Sequence, residues 1–306
     1  MSSPTILIDG NIITTSPASC VYTENASGRC DTLLVSFRDE TGEIAGLEAE
    51  KGQPMEAVCG ALETGEMYLS EIRWGNDVAT LKAVSMPPET GDGNRAWEKA
   101  SFGEILRDVA DEAGLALELL HPLDVHYERV EKLGMTPLEF LYDRTALEGY
   151  AFRVHDGTLT VFDERIAEAA DYEQQLWRGD FQRGLACLTS DAGLVSAVEN
   201  SFMADGRLIR TLVESGLPGR TLRRSIPVSS IDESERFSRG IMRTHNRNEH
   251  SAEGTLAGSS YRAGQTVWLV DAPHGHDGLN YIERAQSDFL KDTQALSMRK
   301  PISGGY

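Results

Sequence analysis

Apolar and polar residues alternate with a period of two through most of the first 90 positions. Ile6, Leu7 and Ile8 and then Ile12 and Ile13 flank Asp9 and Gly10, a pair suited to a tight hairpin turn with positive φ. Leu33, Val35 and Phe37 alternate with polar neighbours ahead of a turn over residues 39–42. Met67 and Leu69 open a strand that runs through Ile72 and Trp74, and a turn over 75–77 leads into a strand over 78–84. Short strands punctuated by Gly, Asp and Asn predict a small β-barrel or sandwich over residues 1–90. Residues 86–96, MPPETGDGNRA, combine two prolines and two glycines with polar side chains and predict an exposed connection.

The period then changes. Ser101 and Glu104 form a capping box, in which the serine takes one orphan helix N–H and the glutamate reaches back to another. Behind it Phe102, Ile105, Leu106, Val109, Ala110 and Ala113 recur at helical spacing until Gly114, and Leu115, Leu117 and Leu119 alternate as a strand. The pattern repeats. Thr136 and Glu139 make a second capping box with Pro137 at the first helical position, and Leu138, Leu141 and Tyr142 supply the expected apolar face. Gly149 stops that helix, and Tyr150, Phe152 and Val154 turn back through residues 155–158 into Leu159, Val161 and Phe162. Helix, glycine and strand occurring twice predict a compact α+β insert over 97–170.

From 172 the alternation returns, with strands expected over 195–202 and 222–228. One helix interrupts it, entered through residues 232–235 and carrying Phe237, Ile241 and Met242 inward with Arg236, Arg239 and Arg243 outward. A final hairpin joins 266–270 to 281–283 across a loop of Pro273, His274, Gly275, His276, Asp277 and Gly278. A last strand over 294–298 runs into a flexible tail at 304–306.

Charge narrows the function classes. The 306 residues carry 29 Lys+Arg against 48 Asp+Glu, a formal net charge of −19. So acidic a chain is poorly suited to gripping a phosphate backbone or an anionic membrane, since both depend on Lys and Arg. No stretch approaches the ~18 apolar residues of a membrane span, and the first residues do not read as a signal peptide. Cys20, Cys30, Cys59 and Cys187 form no CxxC pair, and read as packed, reduced thiols of a chain made in the cytoplasm.

Candidate chemistry is sparse. His274, His276 and Asp277 are the one cluster whose residue types and spacing could chelate a divalent ion, yet their glycine-flanked loop reads better as a solvated hairpin. No GxSxG, no phosphate loop and no Ser or Cys beside a recognisable base is present. Asp108, Asp111 and Glu112 are expected on the solvated side of their helix. Arg220, Arg223 and Arg224 form a small basic run that reads either as a grip for an acidic partner or as a solvated strand edge. No catalytic residue and no cofactor is expected.

Three stretches taken in order carry a resemblance. The first is LKAV at 81–84, the Pro/Gly connection, and RAWEKASFGEILRDVADEAG at 95–114. The second is MTPLEFLYDRTALEGYAFRVHDGTLTVF at 135–162, and the third is YRAGQTVWLV at 261–270 with DGLNYIER at 277–284. In order and spacing they resemble the phage late control D, or baseplate hub, proteins of contractile tails, also found as the hub-like part of type VI secretion spike proteins. Where that pattern has a histidine after the last hairpin strand, this chain has Ala285, Gln286 and Ser287.

The resemblance implies an α+β, mainly β, fold. Two tail-tube-like β-barrel domains, over 1–90 and 172–306, would carry the α+β insert over 97–170 between them, with Trp97, Phe102, Leu141 and Phe152 in the insert core. It further implies a structural protein of the virion tail baseplate, assembled in the host cytoplasm. As a homotrimer it would adapt a sixfold tail tube to a threefold central spike. Its implied partners are further copies of itself, the tube or tube-initiator protein, the spike and other baseplate proteins. A tape-measure protein and DNA would only pass through the channel, and no membrane is involved. The competing readings are another tail-tip component, such as a distal-tail or tail-associated protein, or a tail-associated cell-wall hydrolase acting through His274, His276 and Asp277.

Overall fold

The computed structural model describes residues 3–40, 42–88, 93–121 and 123–302. The first eight strands are β1 (Thr5–Ile8), β2 (Asn11–Ile12), β3 (Pro17–Asn25), β4 (Thr32–Arg38), β5 (Pro54–Cys59), β6 (Leu62–Glu63), β7 (Met67–Trp74) and β8 (Val78–Val84). The expected β1–β2 hairpin is present: Asp9 and Gly10 both have positive φ, at 50° and 74°, as a two-residue turn of this hand requires. Alternation buries one face of each strand. Cys20 and Tyr22, then Leu33, Val35 and Phe37, then Ala79, Leu81 and Ala83 meet in one core. All four cysteines are free, and burial pushes the Cys20 thiol up to about 12.

The insert begins earlier than the polar 86–96 stretch suggests. Met86 is buried, and residues 93–101 form β9 (Gly93–Ser101) instead of an exposed connection; residues 89–92 lie outside the described set. After β9 come α1 (Phe102–Glu112), β10 (Ala116–Leu120), β11 (His126–Met135), α2 (Pro137–Glu148), β12 (Tyr150–His155), β13 (Thr158–Asp163) and α3 (Glu164–Glu168). Strand β11, which the sequence pattern did not reveal, pairs antiparallel with β9, while β10, β13 and β12 form a three-stranded sheet. Both capping boxes form as expected. Trp97, Phe102, Leu141 and Phe152 are buried in one cluster. The face of α2 is corrected: Phe140, Leu141, Thr145 and Glu148 point inward, and Tyr142 is exposed.

The remaining elements are β14 (Gln174–Trp177), β15 (Leu185–Thr189), β16 (Val195–Ala204), β17 (Arg207–Glu214), β18 (Arg220–Arg224), α4 (Ile231–Asn246), β19 (His250–Ala257), β20 (Thr266–Val270), β21 (Gly278–Asp288) and β22 (Thr293–Arg299). The strand expected over 222–228 ends at Arg224. Pro227 follows with no N–H to give to a ladder, and the Asn200 side chain takes the Ile226 N–H (2.8 Å) and donates to its carbonyl (3.3 Å). Strands β17, β16 and β18 make a small sheet with α4 packed on one face. The tail residues 303–306 lie outside the described set.

The two β segments are not separate. Fourteen strands join in one open sheet, whose main path runs β15-β19-β22-β21-β3-β4-β8-β7-β5-β1-β2. No closed barrel is present among the described residues. Strand β21 makes the junction: its first half pairs with β20, its second half with β3, and β22 runs along its other edge. A bulge between Ile282 and Arg284 shifts which residues face inward, so that Ile282 packs in the C-terminal core and Phe289, just past the strand, in the N-terminal one. With 49% strand and 18% helix the chain is α+β and mainly β.

Candidate assembly surface

A buried charge network fixes how the halves meet. Helix α3 presents Glu164 and Glu168 one turn apart, and α4 presents Arg243 and Arg247 at the same spacing. Arg299 on β22, fully buried, pairs with Glu168, with Glu164 at 3.1 Å and with Glu283 on β21 at 2.7 Å. Arg243 reaches Glu168 at 2.7 Å, while Arg247 reaches Glu283 at 2.7 Å and the Ser27 hydroxyl, between β3 and β4, at 2.8 Å. Arg243 therefore points inward, not outward as its place on the helix suggested, because two buried carboxylates need a cation there. The arginines hold the Glu164 and Glu283 carboxyls below their ordinary value against the opposing pull of burial. Three guanidinium groups stand against three carboxylates, and the network ties α3, α4, β21 and β22 together.

A second polar junction ties the insert to the first strands. The Tyr22 hydroxyl donates to Asp31 Oδ2 (3.1 Å), His155 Nδ1 lies 3.3 Å from the same oxygen, and Asp156 Oδ1 accepts from the Glu66 N–H (3.0 Å). The carboxylate raises the His155 pKa above its ordinary value.

The three candidate residues on the final hairpin do not converge. His276 is buried and bonded to the Thr189 hydroxyl at 3.1 Å; that hydroxyl also meets His250 Nδ1 at 3.1 Å. Asp277 instead accepts the Ala272 N–H at 2.9 Å, and His274 is exposed with φ 53°. Among the described residues no group of three or more His, Cys, Asp or Glu is placed to hold a metal ion. His276 is thus not the solvated loop residue the glycines suggested, and burial lowers its pKa. Two of the three carboxylates expected on the solvated side of α1 are also engaged. Asp108 accepts from the Trp97 indole (2.8 Å) and pairs with Arg95 (2.5 Å), and Glu112 pairs with the fully buried Lys132.

The outer face of the long sheet carries a continuous row of residues. Thr255, Ala295, Gln286, Thr23, Thr32, Val84 and Tyr68 stand in register, one on each of seven adjacent strands. All seven are uncharged and half-buried. Beside this row lies a cleft of about 840 Å³ bordered by Arg29, Lys51, Tyr68, Met86, Leu138 and Arg284, whose described lining contains no Asp, Glu or His. A neighbouring cleft of about 540 Å³ shares Asn25, Arg29 and Arg284 with it. The first cleft's lining can hold a chain segment, and the second adds Glu253 and Glu283 to its border. Register across strands distant in sequence creates this row, which is why no local motif announced it. The network did leave a trace, in the matched i, i+4 spacing of Glu164/Glu168 and Arg243/Arg247.

Comparison with solved structures bears on the same architecture. A 43 kDa tail protein of prophage MuSo2 from Shewanella oneidensis superposes with a TM-score of 0.74 at 13% identity, covering 98% of this chain and 99% of its own. A tail protein of Neisseria meningitidis MC58 gives 0.76 at 12% identity, covering 97% and 96%. The chain has the fold of phage tail proteins. The same fold extends to an Escherichia coli component of the type VI secretion system, described as structurally similar to the T4 bacteriophage tail proteins gp27 and gp5. It gives a TM-score of 0.64 at 13% identity, covering 98% of this chain and 78% of that one. No family model matches the sequence, and no curated protein does.

Proposed function

We propose that the chain is a structural, non-enzymatic baseplate hub of a phage or phage-like contractile tail. Three copies close into a ring that joins a sixfold tube to a threefold central spike. The observation that carries this reading is the uncharged row crossing seven strands of both β segments. Facing a channel, it forms an uncharged strip of wall that offers DNA or a tape-measure protein no cation of its own, with Arg29, Lys51 and Arg284 set in the cleft beside it. In this reading the segments over 1–90 and 172–306 act as two tube-like units, so three chains offer six to the tube. The insert over 97–170, locked by the buried network, holds the two at a set angle. The likeness to tail and type VI proteins supports the reading through the fold.

The test is light scattering of the purified chain, followed by negative-stain images of the peak. A mass of three times 33.6 kDa and a threefold ring with a central channel are expected. A chain that stays monomeric alone and with its spike protein rules the ring out.

A further inference from the structure

One hydroxyl joins two histidines at the rim of the C-terminal β segment. Strand β15 ends the long sheet's path, and β20 pairs with β21 on the edge away from β22. The loop after β20 and the end of β15 therefore belong to opposite ends of the order β15-β19-β22-β21-β20. No ladder joins those two ends among the described residues, but side chains do. The Thr189 hydroxyl, at the end of β15, meets His250 Nδ1 at the start of β19 and His276 Nε2 in the loop after β20, each at 3.1 Å. The two imidazole centroids lie 5.6 Å apart, edge to face. Leu185 of β15 and Leu269 of β20 share one core beneath them, so the sheet curls until this one oxygen ties its two sides.

A second proton on His276 has nowhere to go. The residue is 2% exposed, Nε2 is taken up by Thr189, and Nδ1 has no hydrogen-bond partner among the described residues. The Asn280 amide nearby donates to the His276 and Gly278 carbonyls, at 3.4 and 2.9 Å, not to the ring. An imidazolium carries an N–H on both nitrogens, and the one on Nδ1 would be buried without an acceptor. The hydroxyl sets the same limit. It has one hydrogen, so it bonds fully to both rings only while one of the two facing nitrogens is bare. Charge acts in the same direction: His250, His274 and Lys300 surround the ring, and with burial they lower its pKa. The Lys300 ammonium is held there by the Gly275 carbonyl at 2.6 Å. The acids nearby are turned elsewhere. Asp277 accepts the Ala272 N–H, and Glu249 lies 3.9 Å from the other nitrogen of His250, while burial keeps the Cys187 thiol on β15 neutral.

We propose that Thr189, His250 and His276 form an acid-opened fastener, in which protonation breaks the shared hydrogen bonds and releases the 272–278 loop from β15. The direction follows from linkage. A histidine whose folded value lies below its ordinary 6.5 stabilises fully above 6.5, and that share is lost as pH falls through the folded value. The loop leads directly into β21, the strand that pairs with β20 and with β3 and so joins both β segments. Acid opening thus begins beside that junction. The fastener depends on contacts within one chain and is independent of the ring reading.

The experiment is hydrogen–deuterium exchange of the full chain at pH 7.5 and 5.0, read by mass spectrometry and corrected for the intrinsic pH dependence of exchange. The reporting segment is 271–280, where the Ala272 and His276 N–H groups are bonded to Asp277 and Pro273 in the closed loop. Its protection is expected to fall roughly fivefold at pH 5.0, while that of β4 and β8 in the N-terminal core holds. His276→Gln keeps a neutral donor toward Thr189 at both pH values and is expected to remove the pH dependence. Thr189→Val removes the shared oxygen and leaves both imidazoles, and is expected to show the acid-state protection already at pH 7.5. Equal protection of the wild type at both pH values overturns the fastener. So does a His276→Gln chain that loses protection in acid as the wild type does, or a loss that β4 and β8 share in full.

Discussion

At the scale of single residues, Arg299 shows how completely environment decides a side chain's part. In sequence it is one of several basic residues near the end; in the fold it is fully buried among Glu164, Glu168 and Glu283 and lies over the Tyr281 ring at 5.1 Å. Removing one partner from a buried network strands the charges left behind, which costs about 3–5 kcal/mol, far more than an exposed pair contributes. Arg299→Met is therefore expected to lower unfolding stability by that amount in urea denaturation at neutral pH. The acid limb should change as well. Glu164 and Glu283 titrate below their ordinary value of 4.5 in the folded chain. Their stabilisation is thus complete above that value and is lost as pH falls through the folded values. The variant should lack that acid-sensitive share.

At the scale of elements, local rules and packing sometimes oppose each other. Gly240 sits inside α4, where alanine is favoured by about 1 kcal/mol on helix propensity alone. Yet a Cβ at that position would lie 2.3 Å from the Ala146 and Leu147 carbonyl oxygens of α2, which are backbone atoms and cannot turn aside. Packing outweighs propensity here. Gly240→Ala is expected to destabilise by about 1–3 kcal/mol in thermal or urea unfolding, the opposite of what an isolated helix would show. The capping boxes of α1 and α2 are the contrary case. Ser101 with Glu104 and Thr136 with Glu139 satisfy their helix ends within four residues, so they were legible before any fold was known. Strand β11 was not, because its residues (HYERVEKLGM) show no sustained alternation and it exists by pairing with β9.

At the scale of the whole molecule, the insert is held to the first β segment partly by a titrating group. The His155 pKa is raised above 6.5, first by its hydrogen bond to Asp31, with Glu24 adding to the effect and burial and Arg153 opposing it. A raised folded value means that the stabilisation is fully present below 6.5 and is lost as pH rises through the folded value. His245 and His276 are shifted the other way and give the opposite slope, so the total hides the term. The difference between wild type and His155→Gln isolates it: the melting temperatures should converge as pH rises from 6 to 8. With the imidazole 37% exposed, solvent screening keeps the effect to about 0.5 kcal/mol or less.

The same scales separate what the amino-acid order determined from what only the tertiary structure decided. Alternation with a period of two, helical spacing behind the capping residues, and turn residues such as Asp9–Gly10 are local. They set the order of β segment, α+β insert and β segment, and the burial of Trp97, Phe102, Leu141 and Phe152. The acidic balance was equally plain. The merging of both β segments into one open sheet was not, because β3 and β21 are brought together from opposite ends of the chain, and a strand's pattern shows which face is buried but not which strand lies beside it. For the same reason Arg243 looked solvent-facing until Glu164 and Glu168 came opposite it, and His276 looked solvated until it met Thr189. Periodicity reports which side of an element is apolar. Only packing brings distant residues together and decides which polar ones must be buried with partners.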